Sequence, residues 1–109
     1  MTILVFVLTM AACGDQSNPG SPPQAVLKIP TQINVGDSIL LDGRASTDPD
    51  GDIAAYRFVV ADGSGEVVTA DPIITHTFMI KGWIEVRLIV RDTQGNRGEA
   101  SARISVREP

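Results

Sequence analysis

The chain has 109 residues, 9 basic and 13 acidic side chains, a formal net charge of −4 and 43% hydrophobic residues. That suffices for one small domain with a modest core, and the charge balance excludes general nucleic-acid affinity, which needs a surplus of Lys and Arg. A single Cys rules out an intrachain disulfide, and one Cys with one His leaves no zinc constellation.

The first segment, MTILVFVLTMAAC, is apolar from Ile3 to Leu8 and then turns to small residues. Twelve helical residues would rise only ~18 Å, short of a ~30 Å hydrocarbon core. A short apolar run ending in small residues is instead the pattern of a cleaved export signal. Met10-Ala11-Ala12-Cys13 resembles the bacterial lipobox, with Met10 where that motif prefers Leu and no Lys or Arg ahead of the apolar run. The resemblance implies a leader over residues 1–12, cleavage before Cys13, and a diacylglyceryl thioether on Cys13 with acylation of the new amino terminus. Several acyl chains together anchor stably to a membrane, where one alone binds only marginally. In that family the Gly14 that follows implies the outer rather than the inner membrane of a Gram-negative envelope. Residues 13–23, rich in Gly, Ser and Pro, then read as an extended, flexible tether.

From Ala25 the pattern changes. Apolar residues alternate, turn signals recur about every ten residues, and no stretch has a helical period. Strands are expected over 25–29 (AVLKI), ending at Pro30, and over 38–42 (SILLD), with a turn at 34–37 between them. A third strand, 54–61, puts Tyr56, Phe58 and Val60 on one face. A weak edge strand at 66–70 follows the DGSG turn, and 73–78 carries Ile74, His76 and Phe78 on one side. The clearest alternation is 83–92, with Ile84, Val86, Leu88 and Val90 facing opposite to Trp83, Glu85, Arg87, Ile89 and Arg91. After a turn at 93–96, residues 99–107 close the series with Ala100, Ala102, Ile104 and Val106 inward. The fold class is therefore all-β: an Ig-like antiparallel β-sandwich of about seven strands spanning residues 24–108.

Two stretches, VGDSILLDGRASTDPDGDIAAYRFVVADG and HTFMIKGWIEVRLIVRDTQGN, make the pattern specific. In order and spacing they resemble the PKD domain, the Ig-like sandwich first described in polycystic kidney disease proteins. Where that family reads Trp-Asp-Phe-Gly-Asp-Gly, this chain has Phe58-Val59-Val60-Ala61-Asp62-Gly63; an aromatic still fills the core position, but the acid at Val59 is missing. The resemblance implies a non-catalytic extracellular role in binding or spacing.

Residues 46–53, STDPDGDI, crowd Asp48, Asp50 and Asp52 around Pro49 and Gly51. In neither frame do the sixth and twelfth positions carry the Gly and Glu of an EF-hand. Two readings stand. In one, the Asp side chains bond nearby backbone N–H groups and shape a turn. In the other, Asp48, Asp50, Asp52 and Asp92 hold Ca2+; the resemblance implies this site, since some PKD domains bind calcium near this loop with an Asp at the end of the sixth strand, and carboxylates this close repel unless solvated or bridged by a cation.

In the sandwich topology the third, sixth and last strands share a sheet. Its outer face would carry Arg57, Trp83, Arg87, Arg91, Arg103 and Arg107, five of the nine basic residues of an acidic chain plus its one Trp. Arg pairs carboxylates bidentately, and Trp and Arg dominate binding hot spots. The bland alternative is a solvated sheet face. His76 is expected to be a hydrogen-bonded core residue, and no nucleophile, phosphate-loop or zinc-helix pattern occurs. The expected function is a non-catalytic, lipid-anchored cell-envelope module that binds protein or polysaccharide, membrane-held through Cys13. The alternative is a calcium-stabilised spacer, or a subunit of an envelope complex with no ligand of its own.

Overall fold

A computed structural model describes residues 21–51 and 53–109. The leader, Cys13, most of the tether and Asp52 lie outside the described residues. Seven strands follow in chain order: β1 (Gln32–Asn34), β2 (Ser38–Asp42), β3 (Ile53–Val60), β4 (Gly65–Thr69), β5 (Ile73–Thr77), β6 (Gly82–Asp92) and β7 (Arg97–Arg107). They form a five-stranded sheet, β1-β7-β6-β3-β4, facing a two-stranded sheet, β2-β5. The fold is the expected all-β sandwich of two layers, antiparallel except where β1 runs parallel to β7.

The period-two alternation fixes what is buried. Phe58, Val60, Ile84, Val86, Leu88, Val90, Ile104 and Val106 from the large sheet meet Leu41 and Phe78 from the small one, with Ile39, Tyr56 and Ile74 packed alongside. Phe58, in the position where the resembling family has Trp, is buried in the centre. Because side chains on a strand alternate, burying this set commits Arg57, Trp83, Arg87, Arg91 and Arg103 to the opposite, solvent-facing side.

Two boundaries differ from the sequence expectation. Residues 25–29 do not form a ladder strand; the segment makes two isolated bridges, Gln24↔Thr47 with the loop after β2 and Lys28↔Asp42 with the end of β2. Between these bridges the hydroxyl of Ser46 takes the place of a backbone residue. Its oxygen accepts from the Val26 N–H at 2.9 Å and it donates to the Val26 carbonyl at 3.3 Å. The alternation of Ala25, Leu27 and Ile29 still reports their packing against the core. Pro30 then lets the chain cross to the other layer, where β1 pairs Gln32, Ile33 and Asn34 with Ser105, Val106 and Arg107. The second difference is β7, which starts at Arg97 rather than Glu99.

Room for the 23–25 segment comes from small inward residues at the start of β7. A Cβ on Gly98 would overlap the carbonyl oxygen of Pro23, and Ala100 and Ala102 continue the thin end of the wedge.

Candidate functional site

The acidic loop is built by local hydrogen bonds. Asp48, nearly buried, accepts the Asp50 N–H on Oδ1 at 2.8 Å, and its carbonyl accepts the Gly51 N–H at 2.8 Å. Gly51 sits at φ 73°, which closes the turn without a side-chain clash. Ser46 serves the strand pairing described above. Asp92, at the end of β6, is almost wholly buried and organises the β6–β7 hairpin. Its Oδ1 accepts from the backbone N–H groups of Gln94 (2.9 Å) and Asn96 (2.8 Å), and its Oδ2 accepts from the Asn96 amide at 3.1 Å. Burial pushes the Asp92 carboxyl up, but the Asn96 side chain and the backbone N–H groups of Asn96, Gln94 and Gly95 outweigh it and hold the acid below the usual carboxylate range. Both oxygens therefore already receive N–H donors. Among the described residues no group of three His, Cys, Asp or Glu side chains is placed to hold a metal ion; Asp52 is not among them.

The outward face of the large sheet is the second candidate. The register sets Arg57 beside Ile89, Arg87 beside Val59 and Ser101, Glu85 beside Arg103, and Trp83 beside Ser105. Arg87 grips Glu99 through Nε at 2.7 Å and through its second nitrogen. Arg57 faces Glu66 at 3.6 Å. The guanidinium of Arg103 lies 5.2 Å from the centre of the exposed Trp83 ring, a cation–π contact.

These residues do not make one patch. Trp83 and Arg91 are separated by about 27 Å of strand, at ~3.4 Å per residue. At one end lie Trp83, Arg103 and Arg107. At the other lie Arg57, Arg87 and Arg91, joined by Arg97, which sits directly opposite Arg91. An open groove of about 690 Å³ lies there, lined by Val59 and Ile89 together with Arg57, Glu66, Arg87 and Glu99. Its size falls in the ~300–1,000 Å³ range of ligand pockets. Arg97 falls between the expected 93–96 turn and the strand expected from Glu99; extending the alternation back from Glu99 by two residues puts it on this face.

His76 bridges the layers. Its Nε2 lies 2.7 Å from Asp62 Oδ2, and Asp62 Oδ1 accepts from both the hydroxyl and the N–H of Ser64. Burial raises the Asp62 carboxyl, yet the Ser64 hydroxyl, the His76 ring and the Ser64 N–H together hold it low. An ionised carboxylate only accepts, so His76 carries its proton on Nε2. The ring also packs edge-on to Phe78, 4.7 Å between centroids. Ser, Asp and His meet here in the wrong order for nucleophilic catalysis, because the carboxylate stands between the serine and the imidazole that would have to take its proton.

The family model described as the PKD domain matches residues 20–106. A solved structure from work on the promiscuous specificity of carbohydrate-binding modules of the beta-sandwich superfamily is 30% identical, with a TM-score of 0.76, over 82% of this chain and 36% of that one. The PKD1 domain of Vibrio anguillarum Epp superposes with a TM-score of 0.67 at 21% identity, over 83% of this chain and 99% of that one, a likeness of fold. Collagenase ColA of Clostridium perfringens is 35% identical over 86 residues, 79% of this chain but 8% of the collagenase.

Proposed function

The chain belongs to the PKD-domain family, and from that premise we propose that it is a non-catalytic binding module of the cell envelope, held to a membrane through a lipid on Cys13 and presenting the outer face of its large sheet to a polysaccharide. The observation that carries the reading is the groove over β3, β6 and β7: it is lined by guanidinium, carboxylate and amide groups and has no paired acid and base poised for chemistry. The likeness to a carbohydrate-binding module of the sandwich superfamily supports a glycan over a protein partner. The Met10–Cys13 sequence supports the anchor.

The test has two arms. The folded domain, probed on a polysaccharide array, should bind at least one glycan, and Arg87→Glu should abolish that binding. A blank array would leave the spacer reading in its place. Separately, the full chain produced in a Gram-negative host should partition into detergent, and Cys13→Ser should move it to the aqueous phase; equal partitioning of the two would remove the anchor.

A further inference from the structure

The β6–β7 hairpin opposes two like charges. Arg91 and Arg97 are cross-strand partners on the outward face, an arrangement that costs stability unless something neutralises it. The other charged arginines of this half of the sheet have partners: Arg87 holds Glu99 and Arg57 faces Glu66. Among the described residues no ion pair or hydrogen bond engages the guanidinium of Arg91 or Arg97.

Between them lies a nook of about 60 Å³, walled by Arg57, Arg91 and Arg97 and floored by Ala55, Val68 and Ile89. That is the room of about two waters at ~30 Å³ each, enough for one carboxylate group. The described lining contains no acid. The nook opens beside the larger groove, and Arg57, Ile89 and Arg97 border both.

We infer that this nook is an anion subsite and that the ligand of the groove is an acidic polysaccharide, a polymer carrying carboxylates on its sugar units. The inference rests on the binding-module reading above and specifies its substrate class. Charge complementarity selects the anion: Arg91 and Arg97, opposed across the hairpin and without an ion pair among the described residues, border the nook together with Arg57 on a protein whose net charge is −4, and guanidinium binds carboxylate as a planar fork. The groove selects a sugar over a protein. Arg57 and Arg87 offer donors, Glu66 and Glu99 acceptors, and Asn96 both, which suits a run of hydroxyl groups.

The test measures affinity for polygalacturonate, for the same polymer with its carboxylates methyl-esterified, for neutral polysaccharides and for poly-glutamate. Polygalacturonate should bind, weakening with added salt, and esterification should cost at least about tenfold. Arg91→Gln and Arg97→Gln should each weaken it about tenfold, equal to about 1.4 kcal/mol, while Arg44→Gln, in the turn after β2, changes nothing. Each of the two nook variants should also melt no lower than the parent, because each removes a repulsion; this separates lost binding from lost folding. Equal affinity for free and esterified polymer, or binding confined to neutral glycans, would overturn the anion subsite and leave the binding module standing. Poly-glutamate bound as well as polygalacturonate would overturn the glycan assignment. No binding to any of these polymers would overturn the acidic-polysaccharide assignment, while the binding-module reading falls only with a blank array.

Discussion

Replacing Ser46 by Ala removes one oxygen and cuts both links between it and Val26. A protein hydrogen bond contributes about 1 kcal/mol net, and a donor left without a partner costs about 1–3 kcal/mol. Val26 is only half-buried, so water recovers part of that. The expected loss is about 2 kcal/mol, a sizeable fraction of the ~5–15 kcal/mol that holds a domain together. At ~4–8 °C per kcal/mol for a domain this small, the thermal midpoint should fall by about 8–16 °C. Urea denaturation should show a lower midpoint with an unchanged slope, because no surface is newly exposed in either state. Amide exchange supplies the local reading: the Val26 N–H, protected in the parent, should exchange quickly in Ser46→Ala. Ser101→Ala, exposed on β7, is the control and should stay within about 0.5 kcal/mol. A fall of less than ~2 °C, or a Val26 amide as protected as before, would refute the claim that a side chain here stands in for a strand. Lost protection with an unmoved midpoint would show that the segment frays independently and would refute the magnitude.

Gly98→Ala should displace the 23–25 segment, since its Cβ overlaps the Pro23 carbonyl oxygen; overpacking of this kind costs about 1–3 kcal/mol, and an unchanged melting curve would contradict the crossing. Asp62 is held below its ordinary value of 3.8 in the fold, so its contribution is present above about pH 4 and is lost as pH falls through the lower folded value. Melting temperature against pH should therefore drop less steeply below pH 4 in Asp62→Asn than in the parent; parallel curves would show that the His76 and Ser64 bonds add nothing. Asp92→Ala should melt lower than the parent whether or not calcium is present, because it strips acceptors from three N–H groups of the hairpin. For the parent, melting should be unchanged from micromolar to several millimolar calcium; a rise, by linkage to the native state, would mean that Asp52 completes a ligand set with Asp48 and Asp50.

Most of the sandwich was legible because burial on a strand has a period of two, and Ile84 to Val90 display it without interruption. What the pattern cannot carry is the source of the hydrogen bonds. Residues 25–29 alternate like a strand and are packed like one, yet beyond the single Lys28–Asp42 bridge the partner of Val26 is a serine hydroxyl from a loop, and no periodicity encodes that. β1 went unread for a different reason: three residues are too few to show alternation, and its pairing is parallel to a strand some 70 residues later in the chain. The acidic loop was half legible. Asp-Pro-Asp-Gly announces a turn, and the structure makes it one, but nothing in residues 46–53 reveals that Asp92 spends its oxygens on its own hairpin.

The outer face shows how far side-chain counting goes before geometry must take over. Alternation correctly put Arg57, Trp83, Arg87, Arg91 and Arg103 on one side, yet a side is not a site. Eight residue steps along the strand, about 27 Å, separate Trp83 from Arg91, too far for a single small contact. Within the sheet, Glu66 and Glu99 absorb the charge of Arg57 and Arg87, and the Trp83 ring covers Arg103. Arg107 at the tryptophan end is also without an ion pair among the described residues, but two such arginines stand directly opposite each other where Arg91 meets Arg97 at the mouth of the hairpin. Replacing either residue with a neutral one would have spared the fold this repulsion at no cost to its core, since both point to solvent. A local arrangement that opposes stability and serves no packing role is what a binding surface looks like before its ligand arrives, and on this sheet it occurs beside the groove and not beside the tryptophan.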